Sequence, residues 1–262
     1  MTIDLDLSNK KDVLGLALFI GELMLVNGAE TYRVEDTVLR ICKSRGFNHV
    51  NVFASPTVII ISDYKFDGFS FLKSIKSRAI NLHIISLLNN FSREFVNNKE
   101  MTVEEAKKEV KKLSRTNTYS DLTQYVCTGI GSAFFAGLVE GNNIATFIFT
   151  FITSILAVKL YNKIIEISKI PAFASLISSA FIAFIGVILT QLNIISAPTM
   201  LVVGSIMPIL PGVAFMKGIR DLIAGDLVSG VARAFDAGVT AISTACGVGI
   251  ILDVWLRLGG VL

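Results

Sequence analysis

The chain has 262 residues, 52% of them hydrophobic and 17% charged, with a net charge of +3 and a mean hydropathy of +0.64. A soluble domain of this length carries on the order of 25% charged residues, so a wholly soluble protein is excluded. Cys42, Cys127 and Cys246 are odd in number and far apart, which argues against a disulfide framework and for small apolar packing residues. There is no Walker loop, HExxH or GxGxxG, so no metal, no cofactor, no nucleic-acid partner and no enzymatic chemistry of those classes is expected.

Charges crowd into residues 1–120 and are sparse over 122–256. This divides the chain into an N-terminal α+β domain over 1–118, long enough for a small core, and a transmembrane domain over 119–262. In the N-terminal domain, the apolar run 13–26 is too short for a bilayer, which needs about 20 residues. It reads as a buried or interfacial helix stopped at Asn27-Gly28. Apolar spacing predicts a second helix from Thr31 to Ser44, ended by Arg45-Gly46. β-Branched and aromatic enrichment predicts strands near 49–54, 57–63 and 69–75, with Ser55-Pro56 and Asp67-Gly68 as turns. Residues 81–97 read as a helix. Thr102 with Glu105 forms a capping box that starts a charged helix over 103–115.

Five spans are expected, at about 122–140, 143–160, 172–191, 197–216 and 234–256. The fold class is therefore a multi-pass α-helical membrane protein with an N-terminal cytoplasmic α+β domain. Gly129, Gly131, Ala133, Ala136 and Gly137 give the first span a small-residue face for close packing. Pro171 opens the third, where proline is tolerated. Lysine and arginine alternate between flanks: Lys107 to Arg115 before the first span, Lys159 to Lys169 after the second, Lys217 and Arg220 after the fourth. The positive-inside rule then places the protein in the plasma membrane with a cytoplasmic N-terminus and an extracytoplasmic C-terminus.

The segment Leu201 to Arg233 combines an apolar run with Pro208, Pro211 and Gly212, followed by Lys217, Arg220, Asp221, Asp226 and Arg233. Proline removes a backbone donor, and in lipid the freed carbonyls must line a cavity or find new partners. Transporters tend to place substrate sites at such broken helices. Arg offers a two-pronged partner for a carboxylate, and Asp accepts from an ammonium. Asp236, an ionisable group within a span, is the candidate proton carrier. The competing reading makes Arg220–Asp221 and the i,i+3 pair Arg233–Asp236 structural ion pairs. Further upstream, Glu30, Arg33 and Glu35 read as helix capping and a surface pair, or as a cytoplasmic vestibule or regulatory site. Glu22, inside an apolar run, needs a partner, and Arg33 is offered by position. Asn142, Asn143, Gln191 and Asn193 could line a polar path or bond between helices.

Two stretches, GELMLVNGAETYRVEDTVLRICKSRGF with FASPTVIIIS, and MPILPGVAFMKGIRDLIAGDLVSGVARAFDA, resemble the N-terminal module of the threonine/serine exporter family. The resemblance implies export of threonine, serine or a dicarboxylate such as succinate from the cytoplasm. The long members carry two modules; in split members the second is a separate small integral membrane protein, which is the partner implied here. A homo-oligomer is the other arrangement, since transporters are often built from paired halves. Two further readings compete with a gradient-driven exporter. One is a metabolite-sensing regulatory membrane subunit. The other is a membrane-bound hydrolase using His49, His83, Ser55 and Asp63, although no nucleophile elbow is present.

Overall fold

A computed structural model describes residues 2–64, 70–76, 79–116, 119–140 and 144–260, with the backbone alone at 2–9, 139 and 140. The Asp67-Gly68 turn and the Asn142-Asn143 pair lie outside the described residues. The chain forms two compact units: Met1–Thr118 with Met216–Arg233, and Tyr119–Phe215 with Ala234–Leu262. Residues 216–233, which the sequence reading kept with the transmembrane part, thus cluster with the N-terminal part.

In the first unit, α1 (Thr2–Val26) and α2 (Thr31–Ser44) precede an antiparallel meander of β1 (Val50–Ala54), β2 (Val58–Asp63) and β3 (Ser70–Ser74). Then follow α3 (Leu82–Asn97) and α4 (Val103–Leu113). Helix α1 starts earlier than the apolar run suggested, because Asp4, Asp6 and Ser8 to Asp12 surround Ile3, Leu5 and Leu7 and leave no continuous hydrophobic signal. Its apolar part forms the centre of the core, with Leu14, Leu16, Ile20 and Met24 fully buried beside Val34, Val38, Ile41 and Leu88. Gly21 is needed for that approach: a Cβ there would lie 2.5 Å from Ile59 Cδ1. Strand β2 alternates, turning Ile59, Ile61 and Asp63 inward, the period expected of a half-buried strand.

Inward-facing Asp63 needs a partner, and Lys10 supplies it at 2.8 Å with both side chains buried. Gly28 ends α1 at φ +83° with Ala29 N donating to Met24 O at 2.9 Å, the left-handed stop that glycine favours. Arg45 then ties α2 to the α3–α4 turn. It donates to the carbonyls of Lys99, Asn98 and Met101 at 2.7, 3.0 and 3.0 Å and stacks 4.2 Å from the Phe95 ring. The capping box forms as expected, Thr102 and Glu105 each accepting from the other's backbone N–H.

The second unit contains α5 (Asp121–Glu140), α6 (Ile144–Ser168), α7 (Pro171–Gln191) and α8 (Thr199–Ile206). Helices α9 (Gly212–Ile223) and α10 (Leu227–Arg257) each contribute to both units. Among the described residues, α6, α7 and α10 are long and apolar enough to cross a membrane. The expected span 197–216 is not one helix. It breaks into α8 and α9 across 207–211, and an 8-residue α8 reaches only about 12 Å of the roughly 30 Å a bilayer core requires. The two prolines cause this, since neither can donate into a continuing helix. Helix α6 runs on past residue 160 through Lys163 and Glu166, good helix formers that hydropathy alone scores as loop.

Helices α5 to α8 pack through small residues. Ala133 and Ala136 are buried, and a Cβ on Gly129 would lie 2.8 Å from the Phe151 ring. Gly131, expected on the same face, has nothing within 4 Å of such a Cβ.

Candidate functional site

The connection from α1 to α2 is short, and its polar groups have few local partners. Glu30 stands at the N-cap of α2, yet its side chain makes no capping bond. It is 5% exposed, and a carboxylate buried to that degree requires a cation. Arg220 of α9 donates to Glu30 Oε1, and Arg33 Nε lies 3.5 Å from Oε2. The expected surface pair Glu30–Arg33 is therefore a half-buried triad.

The rest of the connection is held the same way. Lys217 Nζ donates to the Gly28 carbonyl, and Arg233 Nη2 donates to the Ala29 carbonyl at 2.8 Å. Thr31 Oγ1 donates to Asp226 Oδ2. Asp226 also caps α10, its Oδ1 accepting from Ser229 N at 3.2 Å. Gly225, at φ +90°, ends α9 just before it. Segments 28–33 and 217–233, some 190 positions apart, thus form one clasp. They are the cores of the two stretches that carry the family resemblance.

Asp221 lies at the centre of the clasp and is fully buried. Arg233 Nε is 3.0 Å from its Oδ2, but off the N–H direction, so the contact is ionic and neither carboxylate oxygen accepts a hydrogen bond. Burial pushes the Asp221 carboxyl above the usual carboxylate range; Arg233 opposes this, while the charges of Asp226 and Glu30 add to it. Burial also lowers Lys217, with Arg233 pushing the same way. Glu35 stands at the edge: it accepts from Ala54 N at 2.8 Å. Burial raises its carboxyl, with Asp226 adding to the effect.

Of the residues singled out from sequence, Glu30, Arg33, Arg220, Asp221, Asp226 and Arg233 meet here. Lys217 and Thr31 join them. Neither was predicted as a site residue, because only their distant partners mark them out. Glu22 does not join. It pairs with Lys73 of β3 at 3.3 Å, which corrects the suggested Glu22–Arg33 pair. Asp236 belongs to the second unit, as do Pro208, Pro211 and Gly212. Arg233 places its Nε at Asp221 and its Nη2 at Ala29.

Three of the four residues of the hydrolase reading are engaged elsewhere. His49 Nδ1 is 3.0 Å from the Tyr64 hydroxyl, Ser55 Oγ is 3.3 Å from Thr57 Oγ1, and Asp63 holds Lys10. Burial pushes the Cys42 thiol up to about 12, so it is an inert packing group. Among the described residues no three His, Cys, Asp or Glu side chains gather as a metal site.

The break before the clasp is a tight turn. Leu210 N bonds Ile206 O at 3.1 Å, Gly212 N bonds Leu210 O at 2.9 Å, and Pro211 O accepts the first α9 bond from Phe215 N at 2.9 Å. Pro211 closes α8 off from α9. With alanine there, a donor returns and the turn can wind toward helix. For the exporter that the family resemblance implies, Pro211→Ala is expected to lower export severalfold while membrane insertion stays intact. Efflux and membrane-fraction immunoblots check this, and unchanged export would remove Pro211 from the mechanism.

Apolar membrane-length helices, a proline-broken helix and a charged clasp define a membrane protein of the transporter class. The chain belongs to the threonine/serine exporter family, whose model, described as "Putative threonine/serine exporter", matches residues 15–255. It is similar to the "Probable succinate transporter subunit YjjP" of Klebsiella aerogenes, 23% identical over 257 residues, covering 95% of this chain and 96% of that protein. The protein of the same description from Escherichia coli K12 is 24% identical over 251 residues, covering 94% and 96%. No solved structure matches the chain.

Proposed function

We propose that this chain is the larger subunit of a two-component, gradient-driven exporter of small carboxylates, with succinate, threonine and serine as the substrate types. The clasp carries this reading. Arg220 and Arg33 keep 62% and 45% of their side-chain surface exposed while both face the Glu30 carboxylate. A substrate carboxylate is the same chemical group as Glu30 and can replace it on Arg220, two N–H donors to two oxygens. Glu30, once displaced, is free to accept from a substrate ammonium. Arg33 stays 3.5 Å from Glu30 Oε2, so a Glu30 displaced from Arg220 keeps a cation and the clasp can open without stranding a buried ion.

The names of the two relatives support a dicarboxylate and a second subunit. In this reading the protein lies in the plasma membrane, with its N-terminal domain cytoplasmic, its C-terminus outside, and five spans of which the fourth is broken. The second subunit is a small integral membrane protein carrying the other module. The clasp belongs wholly to the first unit, and this favours one rival: a metabolite-sensing subunit that binds without flux.

Efflux separates these readings. Cells loaded with labelled succinate, threonine and serine are expected to release one or more of them only when this chain and the second-module protein are expressed together. Release with this chain alone would indicate a homo-oligomer. No release, with both chains in the membrane and labelled solute bound, would establish the sensor.

A further inference from the structure

We propose that the crossing of α5, α6 and α8 is the closed stretch of a water-accessible solute path, where Ser132, Thr150 and Ser205 hydrogen-bond the carboxylate of a small solute. The inference rests on the exporter reading and extends it to residues that no charge or motif marks.

A serine or threonine inside a helix can satisfy itself by donating to a carbonyl one turn back. Several in α6 and α7 do so: Ser154 to Phe151, Ser179 to Leu176 and Thr190 to Gly186, each at 3.0 Å. Ser132, Thr150 and Ser205 do not. They are 3%, 0% and 0% exposed, and their hydroxyl oxygens have no hydrogen-bond partner. Buried hydroxyls left unpaired cost stability, so three of them on three neighbouring helices point to a partner that is present in another state.

The three positions are close together. A Cβ on Gly204 would lie 2.9 Å from the Ser132 carbonyl oxygen, 2.9 Å from Thr150 Cγ2 and 2.7 Å from Ala136 Cβ, and Ser205 is the next residue. The helices are therefore in contact and the path is shut. Helix α8 has room to leave. Another of its flanks borders a groove of about 480 Å³, lined by Val203 and Ile206 of α8 and by Ala245 and Val248 of α10. The proline-broken turn at its C-terminal end lets so short a helix shift without dragging a longer one. A shift toward α10 would uncover the hydroxyls. Neutral hydroxyl donors suit a passing carboxylate, because they hold it without trapping it, as conduction requires.

The test uses the full chain with its second-module partner in membrane vesicles, with Cys127→Ala and Cys246→Ala to remove the exposed thiols. Ser132→Cys, Thr150→Cys and Ser205→Cys are treated with the charged thiol reagent 2-sulfonatoethyl methanethiosulfonate from each side, with and without succinate, threonine or serine. Labelling at all three, slowed severalfold by a solute and absent at Ser154→Cys, is the expected result. No labelling from either side, or labelling indifferent to every solute, would overturn the proposal. In parallel, Thr150→Val and Ser205→Ala are expected to reduce efflux about tenfold each, the worth of one hydrogen bond. Their unfolding temperatures should be unchanged or raised. Full efflux in both variants would overturn the path while leaving the exporter standing. Solute-protected labelling of the three cysteine variants, with no efflux by the wild-type pair, would do the reverse.

Discussion

Arg233→Gln is expected to abolish efflux and to destabilise the first unit by about 3–5 kcal/mol, the cost of removing one partner from a buried ion pair. Arg233 is 12% exposed in its side chain and is the cation 3.0 Å from fully buried Asp221. It also holds the Ala29 carbonyl at 2.8 Å. Glutamine can keep one of these contacts but carries no charge, so Asp221 must take up a proton or draw in water. Burial already raises its carboxyl, and loss of Arg233 raises it further. A carboxyl raised in the folded state contributes its full stability below its unfolded pKa and loses it as pH rises. The deficit of Arg233→Gln is therefore smallest in acid and grows toward neutral pH. Asp221→Asn in the same chain removes the stranded charge and should recover most of the stability. Such coupling is expected of residues in contact. Efflux should stay low in the double variant, because the hold on Ala29 is still weakened. Thermal unfolding of the detergent-solubilised protein at several pH values checks this. Equal deficits in the single and double variants would show that the pair is not the centre of the clasp.

Gly247→Leu is expected to disrupt the second unit, and Gly249→Leu, two residues on, to be tolerated. A Cβ on Gly247 would lie 2.2 Å from both the Leu176 carbonyl oxygen and Ser179 Oγ, so α10 meets the backbone of α7 there with no room for a side chain. Leu176 O already accepts from Ser179, and neither can retreat without breaking that bond. Close approach through glycine is how helices pack in lipid, where apolar burial gives no drive. Overpacking costs about 1–3 kcal/mol when neighbours can move and more when the obstacle is backbone. A Cβ on Gly249 meets nothing within 4 Å, and that residue borders the groove beside α8. Gly247→Leu should lower the unfolding temperature by several degrees and reduce efflux severalfold. Gly249→Leu should leave the unfolding temperature near wild type. Equal behaviour of the two would refute the α7–α10 contact.

Much of the fold was legible because it is written locally. The helix Thr31 to Ser44, the strands around Ser55-Pro56 and the Thr102–Glu105 box all rest on periodicity, turn residues and caps within a few positions of one another. The starts of α1 and α10 were less legible, because Asp4, Asp6 and Lys10 to Asp12 break up the hydropathy of α1, and Arg233 and Asp236 that of α10. Asp226, marked as a possible substrate ligand, also caps α10, a role that the preceding Gly225 could have suggested. The clasp itself was half visible. Its charges were singled out, but as near neighbours along the chain. Glu30–Arg33 is such a pair, whereas Arg220 meets Glu30 across 190 positions and Arg233 meets Ala29 across 204, contacts that only tertiary packing creates. The unpaired hydroxyls carried no sequence signal at all, since Ser and Thr in a span are ordinary until their partners are traced.

The central claim, that a substrate carboxylate takes the place of Glu30 on Arg220 in an exporting two-chain complex, is tested most directly in proteoliposomes. This chain and its second-module partner are reconstituted with labelled succinate, threonine or serine inside, and release is followed after a pH gradient is imposed. The account predicts gradient-dependent release of at least one of these solutes by the pair, and its loss with Arg220→Gln. Gradient-dependent release that is undiminished by Arg220→Gln, or no release by a correctly inserted wild-type pair, would contradict it.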